Sequence, residues 1–345
     1  MDFLVAKNKK SGNGVALGGK QMKKMMTLAM TVLSALTLTA CGKESNSDVA
    51  TNENGKQVGI LQLVQHGALD AAYEGFKEGL AEGGYKEGEN VTIDYQNAQN
   101  SQDNLKSMSE KLLKDKPDLL LGIATPAAQS LANETQDIPI VVTAVTDLAD
   151  ANLVQSNEAP GGNVTGTTDM VPIEKQIALL LSVIDEPKTI GIMYNAGESN
   201  SKFQAEAAKE ALEKEGIKVK EMTANTTNDV QQVTTSLAKD VDGIYIPTDN
   251  TFASAAPLVG QVAKETKTPV VTGSVDQVND GALCTFGIDY TSLGKQTGLM
   301  AAKILDGDAQ PSDMPVESAE DLELVINEEM AKALDIDPET IEEPK

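Results

Sequence analysis

Two short stretches carry the residue types from which a small-molecule site can be built. Residues 246–256 read IPTDNTFASAA, and residues 123–132 read IATPAAQSLA. In each, an apolar run breaks at Thr and Pro and resumes as an Ala-rich segment, the pattern of a buried strand that ends directly before a helix. Thr248, Asp249, Asn250 and Thr251 supply four polar side chains where a helix cap needs one or two, so some are expected to be free for a ligand. Asp249 could accept hydrogen bonds from an ammonium, while Thr125, with the N–H groups after Pro126, could receive a carboxylate. That pairing suits a zwitterion, and Asp249→Ala is expected to abolish its capture.

Four other loops follow strand-like runs and carry the same chemistry. VQHGALD contains Gln65, His66 and Asp70; AVTD contains Thr146 and Asp147; YNAGESNS contains Asn195, Glu198, Ser199 and Asn200; GSVD contains Asp276. In open parallel sheets ligands bind beyond the carboxyl ends of the strands, where these loops belong. For Ser199 or Asp70 alone, helix capping is the commoner role of such a residue. Tyr194, Phe203, Phe252 and Phe286 could wall an aromatic ligand, although core packing explains each equally well.

Several chemistries are excluded by what the chain lacks. His66 is the sole histidine, so no Ser-His-Asp triad and no His-based zinc motif can be assembled around a second one. No glycine-rich phosphate loop occurs, and neither a cofactor nor a metal is expected. Cys284 in ALCTFGI reads as a buried strand thiol, and Lys295 as a helix-face lysine. Every basic residue is Lys, which removes guanidinium clamps for carboxylates or phosphates. A net charge of -24 argues against nucleic acid or an anionic membrane surface as partner. An enzyme is therefore not expected.

The elements that position these loops alternate in a steady rhythm. QVGILQLV is followed by a helical segment with Leu69, Ala72, Tyr73, Phe76 and Leu80 at helical spacing, then VTIDYQ, a helix around 102–115, DLLLGIA, a helix from Pro126, and IPIVVTAV. Such alternation predicts parallel strands joined by right-handed helical crossovers. After Asn163 the order restarts, and DGIYIPTDNT parallels DLLLGIATPA, so the second half reads as a second copy of the first. The expected architecture is α/β, with two similar doubly wound parallel-sheet lobes, a short hinge and a ligand cleft between them. The first lobe is expected over 57–165 with about 291–315, the second over 166–290 with about 316–345. The tail, a helix from about Ser292 to Leu305 and a late strand LELVIN, is expected to cross back between lobes.

The N-terminus has a different character. MKKMMTLAMTVLSALTLTACGK, from Met22, has a lysine pair, an apolar run and small residues before Cys41. It resembles a bacterial lipoprotein signal, with Leu38 to Cys41 as lipobox and Cys41 as the diacylated first residue. Residues 1–40 are read as an upstream extension plus signal, and 41–56 as a polar tether.

From Gln57 to about Leu334 the chain resembles the ABC-transporter substrate-binding lipoproteins of the tryptophan/tyrosine type, related to the type I periplasmic binding fold. The matching residues are IATPAAQSLAN, VTAVTDLADANLV, NVTGTTD, IGIMYNAGESNS, IYIPTDNT and GIDYTSLGKQTG. The resemblance implies an amino acid ligand, often aromatic, enclosed as two lobes close, with a permease and an ATPase as separate chains. It implies a lipid-anchored place on the extracellular face of the bacterial cytoplasmic membrane. Carried across, it points to Thr125, Pro126, Thr146, Asp147, Asn195, Glu198 to Asn200, and Thr248 to Asn250 as lining. Rival readings are a ligand sensor for a signalling receptor, a binder of another solute such as a branched amino acid, an α/β enzyme, and a repressor of related fold.

Overall fold

The computed structural model describes residues 55–319 and 322–344. The expected export signal, the lipidation of Cys41 and most of the tether lie outside the described residues. Among the described residues no helix is long and apolar enough to cross a membrane.

The first lobe is built from β1 (Lys56–Gln62), α1 (Gly67–Glu82), β2 (Val91–Asn97), α2 (Gln102–Lys114), β3 (Leu119–Ile123), α3 (Thr125–Glu134), β4 (Ile140–Val145) and β5 (Val164–Thr168). The second repeats this order with α4 (Ile173–Ser182), β6 (Thr189–Tyr194), α5 (Ser199–Lys214), β7 (Lys218–Thr223), α6 (Thr227–Leu237), β8 (Gly243–Ile246), α7 (Asn250–Ala253), α8 (Ala256–Thr266), β9 (Val270–Thr272), α9 (Val275–Asn279) and β10 (Cys284–Ile288). Then follow α10 (Tyr290–Asp306), β11 (Glu317–Ser318), β12 (Leu322–Ile326) and α11 (Glu328–Ala333). Two six-stranded sheets result, in the orders β11-β5-β4-β3-β1-β2 and β12-β10-β9-β8-β6-β7. The central strands β3, β4 and β8 are buried throughout, as sheets covered by helices on both faces require.

Three details differ from the sequence expectation. The first lobe extends through Thr168, because β5 pairs with β4 rather than opening the second lobe. Glu317 and Ser318 in β11 also join the first sheet, beside β5. The strand β12 runs antiparallel to β10. The last follows from chain length: β11 runs alongside β5 toward the gap between lobes, and the chain reaches Leu322 within four residues, too few to travel back along a sheet. It must enter the second sheet from the gap end, pointing away.

The lobes are therefore joined by three crossing segments, after β5, between β10 and α10, and between β11 and β12. The second crossing returns α10 to the first lobe, where it packs along α1. Both helices present glycine at four-residue spacing on the shared face, Gly75 and Gly79 against Gly294 and Gly298. A Cβ on Gly79 would stand 2.0 Å from the Lys295 carbonyl oxygen, and one on Gly294 would stand 2.1 Å from that of Ala72. The backbones approach closely because these side chains are absent, and this fixes where Tyr290 enters the gap. Thr297 on α10 adds a hydroxyl bond of 2.8 Å to Thr167 on β5. Gly79→Ala is expected to lower stability by about 1–3 kcal/mol from overpacking, despite alanine's better helix propensity. Urea unfolding of this variant beside Glu78→Ala, on the exposed face, checks it.

Candidate functional site

The strand ends of both sheets meet at one gap, and hydrogen bonds cross it. His66 Nε2 lies 3.1 Å from Asn250 Oδ1, Asn100 Nδ2 donates to Thr251 Oγ1 at 3.3 Å, and Gln204 Nε2 donates to Thr146 Oγ1 at 3.0 Å. Thr146 and Thr248 hydroxyls stand 3.4 Å apart. These contacts define a closed arrangement, and the cavity left between the lobes is small, about 20 Å³. It is walled by Ala68, Leu69, Ala144, Ala253 and Tyr290, with His66, Asp169, Asn200 and Gln277 among the polar side chains. Three of the wall residues are alanines, so short side chains line that part of the cavity. Ala144 sits at a register shift in β4 with φ 55, and Ala124, before α3, has φ 78. Such left-handed backbone in residues other than glycine is concentrated at sites where geometry serves binding.

Much of the polar set read from the sequence is occupied by the protein itself. Asp249 caps α7, its Oδ1 accepting from Phe252 N at 2.8 Å, and its Oδ2 accepts from Asn195 N at 2.6 Å. Asp249 lines the cavity as expected of a ligand contact, but each of its oxygens already holds a backbone N–H group, so its first role is to fix this loop. Glu198 is equally committed. Its carboxylate accepts from the side chain and backbone of Asn250, from the backbone and hydroxyl of Thr251, and from Asn195 Nδ2. Asn195 spends its Oδ1 on Gly197 N and its amide on Thr251 Oγ1 at 2.8 Å. Asp147 Oδ1 accepts from Ala149 N and Asp150 N, closing a turn. Gln65 and Ser199 are exposed, Pro126 lines an outer groove, and Asp276 packs against Gly67 beside the cavity. A side chain in a loop is consumed whenever a nearby helix end or strand end has orphan N–H groups to satisfy.

Among the described residues, seven buried side-chain atoms have no hydrogen-bond partner, and four of them line this cavity: His66 Nδ1, Asp169 Oδ1, Asn200 Oδ1 and Gln277 Nε2. A fifth, Thr125 Oγ1, lies at the start of α3 in an adjoining recess with Thr146, Asn200 and Phe203. Buried polar groups are nearly always paired, so their convergence marks where a ligand's own groups belong. Asp169 and Gln277 escaped the residue-by-residue reading. Asp169 ends NVTGTTD immediately after β5, the same position that drew attention to the other loops, and Gln277 lies one residue past GSVD on α9.

Asp169 is 3% exposed, and its Oδ2 accepts from the Tyr290 hydroxyl at 2.7 Å. Burial pushes its carboxyl above the usual range, with the Tyr290 and Thr146 hydroxyls opposing. Among the described residues no lysine lines the cavity. Tyr290 is the aromatic wall. Of those expected from sequence, Phe252 and Phe286 are buried in the lobe core, Tyr194 donates to Glu221, and Phe203 borders only the recess. Burial, reinforced by Asp249, also raises Glu198, to about 7, and burial raises Asp249.

Two lobes of parallel sheet, hinged by three crossings and closed over unpartnered polar atoms, define a solute-binding protein of the type I periplasmic fold. The chain belongs to the family described as ABC transporter substrate binding protein, whose model matches residues 57–343. It is 41% identical over 322 residues to a tyrosine-binding protein of Clostridioides difficile, covering 91% of this chain and 93% of that protein. The crystal structure of the ABC domain in complex with L-Trp from Streptococcus pneumonia superposes with a TM-score of 0.80 at 39% identity, covering 84% and 98% of the two chains. The ligand-free, open structure of a substrate binding protein with adhesive properties from Clostridium difficile is 46% identical, covers 84% and 98%, and gives a TM-score of 0.65. The lower score against the open relative agrees with the hydrogen bonds that cross the gap here.

Asp249→Ala is expected to destabilise the fold by about 1–3 kcal/mol, because it strands buried N–H groups, while ligand capture survives. Urea unfolding and calorimetric titration separate the two effects. The raised carboxyls set a second expectation. A group that holds its proton more tightly when folded contributes stability at low pH, and loses it as pH rises from its unfolded value through its folded one. For Glu198 that window runs from 4.5 to about 7. The urea midpoint of the ligand-free protein should decline across it, and Glu198→Gln should make that decline shallower.

Proposed function

We propose that the protein captures an aromatic amino acid between its lobes and hands it, in the closed state, to a membrane permease driven by a separate ATPase. The observation that carries this reading is the buried Asp169 carboxylate, whose free Oδ1 lies at a cavity that no lysine lines among the described residues. An α-ammonium supplies a positive charge there, with Asn200 Oδ1 as a second acceptor. The ligand carboxylate is met by neutral donors, Thr125 Oγ1 and the first turn of α3, as a chain without arginine requires. Ala68, Ala144 and Ala253 give the side chain its width, and Tyr290 gives it an aromatic neighbour. The relatives that bind tyrosine and contain L-Trp support the aromatic class.

Closure then follows from differential binding. Asp169 and Thr125 stand on or beside the first lobe, Asn200 and Gln277 on the second, so only the shut form offers all four at once. The site residues, Thr125, Thr146, Asn200 and Thr248 included, act in this scheme as contacts or as the polar rim that closes on the ligand. Cys41, carrying a diacylglyceryl group, tethers the lobes outside the cytoplasmic membrane, since two acyl chains anchor where one is marginal.

A thermal-shift and calorimetric panel of L-amino acids tests the reading. An aromatic amino acid is expected to give the largest shift, with about 2.7 kcal/mol of stabilisation at a hundredfold excess over Kd. Asp169→Asn should remove that shift and leave the variant folded. A flat response to every amino acid would overturn it.

A further inference from the structure

His66 Nδ1 and Gln277 Nε2 are the two free cavity atoms not assigned to the ammonium or carboxylate of such a ligand, and of the two only His66 Nδ1 can accept. His66 stands directly before α1, four residues past β1, yet its side chain does not cap that helix. Instead Nε2 crosses the gap to Asn250 Oδ1, 3.1 Å away. The direction of this bond is fixed by the rest of the network. Asn250 directs its Nδ2 into Glu198 Oε2, which also accepts from the Asn250 backbone N–H. With Glu198 ionised, the Asn250 amide group turns its oxygen to His66, an amide oxygen accepts, and the hydrogen sits on Nε2. In a neutral imidazole the other nitrogen then carries a bare lone pair. Burial of the ring favours the neutral form, with the Asn250 bond and the charges of Asp70 and Asp280 opposing. The bare nitrogen is Nδ1, buried, unpartnered and on the cavity wall.

An ammonium bonded to Asp169 and Asn200 leaves this nitrogen for another donor on the ligand. Asp169 follows β5 and His66 follows β1, and the sheet order places β4 and β3 between them. A ligand that meets both groups needs a second hydrogen-bond donor besides its ammonium.

We propose that His66 determines specificity within the aromatic class, its Nδ1 accepting from a donor on the ligand side chain, so that a phenol O–H or an indole N–H is selected over a plain phenyl ring. This inference rests on the aromatic amino acid reading above and adds the feature of the ring that is read. A site built to bond a side-chain donor rejects the analogue lacking it, because a buried acceptor is left unpaired.

Calorimetric titration of the wild-type chain with L-tyrosine, L-tryptophan and L-phenylalanine tests it, repeated with His66→Gln. Glutamine can keep an Nε2 donor for Asn250, and so the bond across the gap, but has no acceptor in the position of Nδ1. The better of tyrosine and tryptophan is expected to bind wild type at least about tenfold more tightly than phenylalanine, a difference of about 1.4 kcal/mol. In His66→Gln that advantage should shrink to about threefold or less. Equal binding of all three to wild type would overturn the inference and leave the aromatic reading standing, whether or not the variant folds. Discrimination that persists in His66→Gln would also overturn it, reducing His66 to a closure contact. If none of the three binds wild type, both the aromatic reading and this inference fall.

Discussion

The hydrogen bond from the Tyr290 hydroxyl to Asp169 is the interaction on which the rest turns. Asp169 stands where the chain leaves the first lobe, and Tyr290 where it comes back from the second, so the bond pins two of the three crossings together. It also uses one carboxylate oxygen and leaves the other facing the cavity. Burying an ionised acid without a cation is costly and favours its protonated form, and among the described residues no lysine lines the cavity. The proposed ligand ammonium supplies a positive charge at this point. A solute carrying it lowers the cost of the closed state, which couples capture to hinge closure by ordinary electrostatics.

The remaining polar groups divide into those that build the gap and those that wait for a ligand. Glu198 gathers Asn195, Asn250 and Thr251 into one network, and Asp249 fixes the same loop from below through Asn195 N and Phe252 N. This rigid platform presents Asn250 to His66 and Thr248 to Thr146 across the gap. Gln204 serves both sides, bonding Thr146 of the first lobe and Thr248 of the second. These are weak, exchangeable contacts between neutral groups, each worth about 1 kcal/mol, as suits a gap that must open. The glycine face between α1 and α10 is the opposite kind of contact. It is too close to slide, and it carries α10, with Tyr290 at its head, as a fixed part of the first lobe.

The fold was legible in the chain because its signals are local and repeated. Buried strands such as LLLGI and IVVTAV are continuous apolar runs, helices show apolar spacing of three and four, and the second half repeats the order of the first. Two departures have a tertiary cause. Whether β5 joins the first or the second sheet depends on its pairing with β4, and the reversed direction of β12 depends on where β11 leaves the chain. The loops of the site were legible too, since strand ends before helices can be read from sequence. Thr125, His66 and Asn200 were named on that basis and do bring unpartnered atoms to the cavity or its recess.

By itself, then, the sequence determined two parallel-sheet lobes, a short hinge and a ring of polar loops around one gap. What it left open was which member of that ring is spent on the protein and which is spare. Asp249 and Asp169 look alike as residues that follow strands, yet Asp249 is committed to Asn195, 54 positions away, while Asp169 shares one oxygen with Tyr290, 121 positions away, and keeps the other. Only the tertiary structure decided between them, because a side chain's remaining hydrogen-bonding capacity depends on neighbours that folding brings from distant parts of the chain.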